Sequence, residues 1–166
     1  KVVGPGEAVG IRRDAKWSVP EPELALVLNS RSELVGYTIG NDMSARDIEG
    51  ENPLYLPQAK SYDASAALGP GILVMEEPIS PETVISIQIK RAGQVVFENS
   101  IQINRMKRQL PELASWLFRE TSFPHGVFLM TGTGIVPPNE FTLNVGDEVC
   151  ISIEGIGELV NVVGMR

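Results

Sequence analysis

The fold is indicated most clearly by residues 84–89, Val-Ile-Ser-Ile-Gln-Ile, in which apolar and polar side chains alternate. A period of two is typical of a β-strand with one face in the core and the other towards solvent. Residues 148–153 (EVCISI) alternate in the same way, and residues 158–163 (ELVNVV) follow them after a turn at Gly155–Gly157. These patterns predict antiparallel strands that are joined by short turns.

Further strands are expected on either side of these segments. A turn at residues 91–93 precedes two short apolar stretches, Val95–Phe97 and Ile101–Ile103, which predicts a hairpin or meander. Leu24–Leu28 (LALVL) and Gly126–Met130 (GVFLM) are unbroken apolar runs. Such runs are typical of strands that are buried on both faces.

One segment has clear helical periodicity. In Arg108–Glu120, Leu110, Leu113 and Leu117 fall on a single helical face. A short helical turn is also expected at Ser44–Glu51. With strands dominating, we predict a single α+β domain.

Composition narrows the class of protein. A chain of 166 residues is within the usual range of roughly 100–200 residues for one domain. Apolar residues make up 43% and charged residues 21%, which argues against a disordered chain. The formal net charge of −7 argues against binding to nucleic acid, which requires a basic face. No apolar run approaches the roughly 20 residues of a membrane helix, so we expect no membrane partner.

The single cysteine and the single histidine exclude some classes of site. Cys150 alone cannot form an internal disulfide, which predicts a reducing compartment, taken here as the cytoplasm. Its side chain is expected to pack in the core. His125 lies in a Pro-His-Gly turn and is expected at the surface, so we predict neither a histidine zinc site nor a Ser-His-Asp triad.

Two glutamates, Glu21 and Glu23, directly precede the apolar run Leu24–Leu28. If both belong to that strand, the pleat directs their side chains to the same face. Close like charges repel each other, and a divalent cation relieves the repulsion by accepting oxygen ligands. The alternative is an ordinary solvated strand end, which spacing alone favours.

A polar turn follows the expected strand Val35–Ile39 and reads Asn41-Asp42-Met43-Ser44-Ala45-Arg46-Asp47. Asp42 is a candidate third oxygen ligand; the alternative is that Asp42 or Ser44 caps the following helical turn. Arg46 and Asp47 are equally consistent with a surface ion pair of little energetic value.

Two later segments are further candidates. Pro53 and Pro57 stiffen a loop that delivers Lys60, and a lysine near a metal in a closed cavity can transfer protons, although most lysines are merely exposed. Thr131-Gly132-Thr133-Gly134 brings backbone amides and hydroxyls that can hold a carboxylate. No Gly-Lys-Ser/Thr follows, so this is not a phosphate loop.

In their order and spacing, these segments resemble the fumarylacetoacetate hydrolase family. The matching features are Glu21-Pro22-Glu23, Asn41–Asp47, the lysine loop, Leu68-Gly69-Pro70 and Thr131–Gly134. The resemblance spans the whole chain, residues 1–166, and implies that family's catalytic β-roll or sandwich domain without its usual N-terminal domain. Residues 14–28 and 48–60 look closest to the family's branch of 2-dehydro-3-deoxy-D-arabinonate dehydratases.

The resemblance implies roles for individual residues. Glu21, Glu23 and Asp42 fall where the family binds Mg²⁺, or Mn²⁺ or Ca²⁺ in its place. Arg46 and Lys60 fall on active-site positions, and Thr133 falls on a position that contacts substrate. Glu49 stands where the family's hydrolases carry glutamine, and no histidine precedes Glu21, which disfavours C–C hydrolysis.

The expected function is therefore a metal-dependent hydro-lyase that converts a 2-oxo-3-deoxy sugar acid, 2-dehydro-3-deoxy-D-arabinonate, to 2,5-dioxopentanoate through a metal-stabilised enolate. Lys60 or Glu49 would remove the C3 proton, while Arg46 and Thr133 would orient the substrate. The alternatives are a C–C hydrolase or decarboxylase of acylpyruvates or oxaloacetate, and an inactive interaction module. Family members are usually dimers or higher homo-oligomers, which implies the same here.

Overall fold

The computed structural model describes residues 1–165. The strands in this part of the chain are β1 (Val2–Val3), β2 (Ala8–Ile11), β3 (Ser18–Val19), β4 (Pro22–Leu28), β5 (Leu34–Asp42), β6 (Ser44–Ala45), β7 (Ala66–Leu73), β8 (Val84–Arg91), β9 (Gln94–Gln102), β10 (Val127–Met130), β11 (Glu148–Ile153) and β12 (Gly157–Met165). The α-helices are α1 (Arg46–Glu51), α2 (Leu56–Lys60) and α3 (Leu110–Leu117), with short 3₁₀ turns at Pro53–Tyr55 and Ile103–Arg105. The prediction of a β-dominated α+β fold is confirmed.

Two mixed sheets of five strands form the body of the domain. The first has the strand order β1-β7-β5-β4-β10, and the second has the order β2-β12-β11-β8-β9. Within these sheets, β1 runs parallel to β7 and β2 runs parallel to β12, while the other pairs are antiparallel. A small additional sheet pairs β3 with β6.

The core is formed by side chains from both five-stranded sheets. In β8, Ile85, Ile87 and Ile89 are buried, as the alternation in residues 84–89 predicts. They belong to the same buried cluster as Leu24 and Leu26 of β4. Burial of these apolar surfaces supplies the main favourable contribution to folding, at roughly 25 cal/mol per Å².

Two sequence-based expectations about strand faces are wrong. Gly126–Met130 does not form a strand that is buried on both faces, because β10 lies at the edge of its sheet and Phe128 is 47% exposed. Cys150 does not pack in the core; it is half-buried on the outer face of β11, while Val149 and Ile151 are buried on the inner face. In both cases the position within the sheet, rather than the hydrophobicity of the residue, decides its burial.

The helical predictions hold with shorter boundaries. Helix α3 begins at Leu110 rather than Arg108, with Pro111 in the first turn, where the missing N–H costs no hydrogen bond. It ends at Leu117, and the half-buried Phe118 follows it. The expected turn at Ser44–Glu51 is helix α1. Within residues 1–165, no helix has the length and apolar character needed to cross a bilayer.

Candidate metal centre

Three acidic side chains meet at the end of the β4–β5 pair. In the antiparallel register, Glu23 lies opposite Gly40, and the Asp42 amide donates a hydrogen bond to the Glu21 carbonyl at 3.0 Å. One carboxylate oxygen from each of Glu21, Glu23 and Asp42 lies within 4.8 Å of the other two. Strand pairing thus brings together two parts of the chain that are about twenty residues apart.

These carboxylates are shielded from solvent. Glu21 is 8% exposed and Glu23 is 3% exposed, so the interpretation of a solvated strand end is wrong. Neither Asp42 nor Ser44 caps the following helix, because the N-cap of α1 is Ala45 and the helix has no side-chain capping hydrogen bond. The site is therefore a buried acidic cluster that requires a compensating positive charge.

Lys60 provides part of that compensation. Its Nζ donates hydrogen bonds to Glu21 Oε2 at 2.7 Å, to Asp42 Oδ2 at 2.9 Å and to Ser44 Oγ at 2.6 Å. Lys60 is the last residue of helix α2, so a short helix rather than a loop delivers it. Burial acts to lower the pKa of Lys60, but the hydrogen bonds to Glu21 and Asp42 outweigh burial and raise it.

Glu23 lies apart from the ammonium contacts and is held by backbone. The Gly132 amide donates a hydrogen bond to Glu23 Oε2 at 2.6 Å. Burial, together with the neighbouring carboxylates of Asp42 and Glu21, raises the pKa of Glu23 to about 7 against the opposing effect of the Gly132 amide. Burial likewise raises the pKa of Asp42.

The donor set fits a hard divalent cation. Three carboxylates against one ammonium leave two negative charges uncompensated when all the groups are ionised. Mg²⁺, Mn²⁺ and Ca²⁺ prefer oxygen ligands, and a carboxylate cluster of this kind supplies both the ligands and the charge. A cation bound here would oppose the effect of burial and of the neighbouring carboxylates, which raise the pKa of Glu23.

Arg46 and Glu49 form a second polar pair on helix α1. Arg46 Nη1 lies 3.3 Å from Glu49 Oε2, and the guanidinium carbon lies 5.9 Å from the ring centroid of Trp17. Both side chains of the ion pair remain about a quarter exposed. Asp47 does not pair with Arg46 but accepts a hydrogen bond from the Lys16 amide at 2.7 Å.

The Thr131–Gly134 loop borders the acidic cluster through Gly132. The hydroxyl of Thr133 accepts from the Ile135 amide at 3.1 Å and donates to the Ile135 carbonyl at 3.2 Å. Gly132 has φ +95°, a left-handed conformation that glycine adopts readily. The loop conformation therefore aims the Gly132 amide at Glu23.

Two further residues take part in the site: Ser44, which was considered above only as a helix cap, and Asn41, which was given no role. Ser44 accepts from Lys60, and the buried Asn41 accepts from the Glu21 amide through its side-chain oxygen at 3.3 Å. Both lie in the Asn41–Asp47 segment that also contains Asp42 and Arg46, so this motif already pointed to the part of the chain in which they occur. His125 is exposed in its turn, as expected.

Comparison with known proteins identifies similar chains. The chain is 48% identical over 162 residues to a probable 2-keto-3-deoxyxylonate dehydratase of Haloferax volcanii, covering 97% of this chain and 56% of the relative. It is 46% identical over 167 residues to 2-dehydro-3-deoxy-D-arabinonate dehydratase of Saccharolobus solfataricus, covering 100% of this chain and 56% of that protein. The chain thus spans about half the length of these curated relatives.

Solved structures agree with this relationship. A 2-keto-3-deoxy-D-arabinonate dehydratase complexed with magnesium and 2,5-dioxopentanoate superposes with a TM-score of 0.96 at 46% identity, covering 99% of this chain and 59% of that one. The family model for the C-terminal region of fumarylacetoacetate hydrolase matches residues 1–164. The resemblance noted in the sequence is therefore confirmed, and the chain belongs to the fumarylacetoacetate hydrolase C-terminal family.

Proposed function

We propose that this chain carries the active site of a divalent-metal-dependent hydro-lyase, which removes water from 2-dehydro-3-deoxy-D-arabinonate and yields 2,5-dioxopentanoate. The observation that carries the proposal is the convergence of the Glu21, Glu23 and Asp42 carboxylates, two of which accept hydrogen bonds from the Lys60 ammonium. Its support is the 46% identity to a protein named for this reaction, and a structure of such a dehydratase holds magnesium and the product.

Glu21, Glu23 and Asp42 would hold the cation, with Mg²⁺ as the proposed ion. A divalent ion there would supply positive charge to the carboxylate and keto oxygens of a 2-oxo acid, which acidifies the hydrogens on C3. The Gly132 amide fixes the orientation of the Glu23 carboxylate. The residues of this chain then position the substrate and move its protons.

We assign Glu49 as the base and Lys60 as the acid. Glu49 offers a carboxylate that is a quarter exposed and is oriented by Arg46, so it can accept the C3 proton. The ammonium of Lys60 donates to two carboxylates of the acidic centre and carries protons there, so it can protonate the departing C4 hydroxyl as water. Tautomerisation of the resulting unsaturated acid gives the dioxo product, and the overall balance is the loss of one water molecule.

Arg46 and Thr133 complete the assignment as substrate-binding residues. The guanidinium of Arg46 sits between Glu49 and the Trp17 ring, where its remaining N–H groups can donate to substrate oxygens. Thr133 lies next to Gly132 in the loop that touches Glu23. By orienting the C3–H and C4–O bonds of the substrate, these contacts would increase the rate of water removal.

The decisive assay compares two products. With Mg²⁺ present, the protein is expected to form 2,5-dioxopentanoate from 2-dehydro-3-deoxy-D-arabinonate, and a chelator is expected to abolish the reaction. Acylpyruvates and oxaloacetate serve as the comparison substrates, with pyruvate release as the readout. Pyruvate release without formation of dioxopentanoate would replace the dehydratase with a C–C hydrolase or decarboxylase of the same family.

The proposal extends to a homo-oligomer located in the cytoplasm. Apolar side chains such as Leu54 (82% exposed) and Val74 (74% exposed) offer surface that association would bury. The single free cysteine suits a reducing compartment. Light scattering of the purified protein tests the oligomeric state, with a mass of at least twice that of the monomer expected.

A further inference from the structure

A run of positive charge lies close to the acidic centre. From Asn99 to Pro111 the sequence contains no Asp or Glu but contains Arg105, Lys107 and Arg108. All three side chains are exposed, and none forms an ion pair with a residue of the described range 1–165. Three uncompensated cations within four positions are unusual in a chain of net charge −7. We call them the basic rim.

The backbone that carries the basic rim is held in place. The Ile103 amide donates to the Thr83 carbonyl at 3.0 Å, and the Asn104 amide donates to the Pro81 carbonyl at 2.7 Å. Residues 103–105 form a 3₁₀ turn whose Ile103 side chain is buried in the core. The turn therefore fixes the backbone of Arg105, and Lys107 and Arg108 lie in the short segment between this turn and helix α3.

The basic rim and the Thr131–Gly134 loop line the same cavity. This cavity has a volume of about 250 Å³, and Arg105, Lys107 and Arg108 line it together with all four residues of the loop. No carboxylate is among its lining residues in the described chain. The Gly132 amide contacts Glu23, while a Cβ added to Gly132 would meet no atom within 4 Å. The loop thus borders both the acidic centre and the space that is lined by the cations.

Electrostatics gives this arrangement a consequence for binding. A 2-oxo acid is an anion, and it approaches a protein that is itself strongly acidic, so the long-range field opposes its encounter with the site. Clustered cations beside a cleft reverse the local field and raise the rate of encounter by roughly 10–10³. At low salt their reach is about 30 Å, and it shrinks to about 8 Å at physiological ionic strength.

We propose that Arg105, Lys107 and Arg108 form an anion-attracting entrance that draws the 2-oxo acid carboxylate towards the acidic centre. This inference rests on the proposed function for the anionic class of the ligand, but it assigns residues that the proposed chemistry does not use. The basic rim acts on capture of the substrate and not on the bond-breaking step.

The test is the triple variant R105Q/K107Q/R108Q, assayed with Mg²⁺ as a function of salt concentration. We expect KM to rise about tenfold at 10 mM salt with kcat unchanged, and the difference from the parent protein to shrink below about twofold at 0.5 M salt. The matched control R31Q/K90Q/R119Q removes the same three charges from positions outside the cavity, and it is expected to leave KM within about twofold of the parent.

A binding measurement separates failure of this inference from failure of the proposed function. Oxalate, a small chelating dianion, is titrated into Mg²⁺-loaded protein by calorimetry, with weaker binding expected for the rim variant than for the control variant. If the parent turns over the sugar acid and binds oxalate while the rim and control variants behave alike, the entrance proposal is overturned. If the parent does neither, the proposed function fails first.

Discussion

Glu23 is the residue on which burial, backbone hydrogen bonding and the neighbouring carboxylates act together. Replacing it with Gln keeps the shape and removes one ionised ligand. We expect E23Q to bind Mg²⁺ at least about 100-fold more weakly in calorimetry, and to lose activity while keeping its circular dichroism spectrum, because metal sites of this kind depend on ligand charge. D42N is expected to behave in the same way.

The control for that experiment is E148Q. This substitution removes a half-exposed carboxylate on β11 that pairs with Lys90 on the neighbouring strand β8. It should retain the Mg²⁺ affinity of the parent. Equal Mg²⁺ affinity in E23Q and the parent would remove Glu23 from the set of ligands.

Glu23 also gives the metal-free protein a distinct pH dependence. Its pKa is raised from the ordinary value of 4.5 to about 7 in the folded state, so between these values the folded chain holds a proton that the unfolded chain has released. The free energy of unfolding must therefore fall as the pH rises from about 4.5 to 7. Urea titrations in the presence of a chelator should show this decline in the parent and a smaller one in E23Q; parallel profiles would contradict the raised pKa.

Lys60 is tested by K60M, which preserves much of the aliphatic stem and removes the ammonium. We expect kcat to fall by roughly 10²–10⁴, the usual contribution of a general acid or base. E49Q should produce a loss of similar size, because the proposal gives the two groups complementary roles. A K60M enzyme with near-parental kcat would leave Lys60 as a structural counter-ion only.

At the scale of the secondary-structure element, β11 contrasts two neighbouring residues on opposite faces of one strand. Ile151 is fully buried, whereas Cys150 lies half-buried on the outer face. We expect I151A to lower the free energy of unfolding by about 2–5 kcal/mol, because it leaves a cavity in the core. C150A should change it by less than about 1 kcal/mol. Similar losses in urea denaturation would mean that the strand faces are assigned incorrectly.

The strands show what local sequence can and cannot predict. The period of two places Ile85, Ile87 and Ile89 on one face of β8. Glu21 and Glu23 also meet, although Glu21 lies one residue before β4 begins. The alternation in EVCISI also predicts that Cys150 and Ile151 lie on opposite faces of β11. The usual burial of cysteine residues pointed the other way and was misleading here. The exposure of Phe128 could not have been predicted, because an apolar run does not reveal that its strand lies at the edge of a sheet.

The site required more than local pattern. Spacing alone favoured a solvated strand end for Glu21 and Glu23, and only the pairing of β4 with β5 brings Asp42 to them. Lys60 reaches the cluster through helix α2, a tertiary placement that no periodicity encodes. The family resemblance supplied this long-range information, and the assigned roles of Arg46, Glu49 and Thr133 remain predictions.

For the whole molecule, the positions of the charges say more about what it can bind than the net charge does. The net charge of −7 conceals a buried acidic centre and an exposed basic rim on either side of the Thr131–Gly134 loop. Two mixed sheets provide the rigid support on which both are built. Such a support favours precise placement of ligands over adaptability.

The most direct test of the central claim is an anomalous diffraction map of crystals soaked with Mn²⁺ and oxalate. We predict one strong peak bounded by the carboxylates of Glu21, Glu23 and Asp42, with oxalate completing the coordination on the open side. A well-ordered map with Mn²⁺ bound elsewhere, and with no peak between these three side chains, would contradict the account.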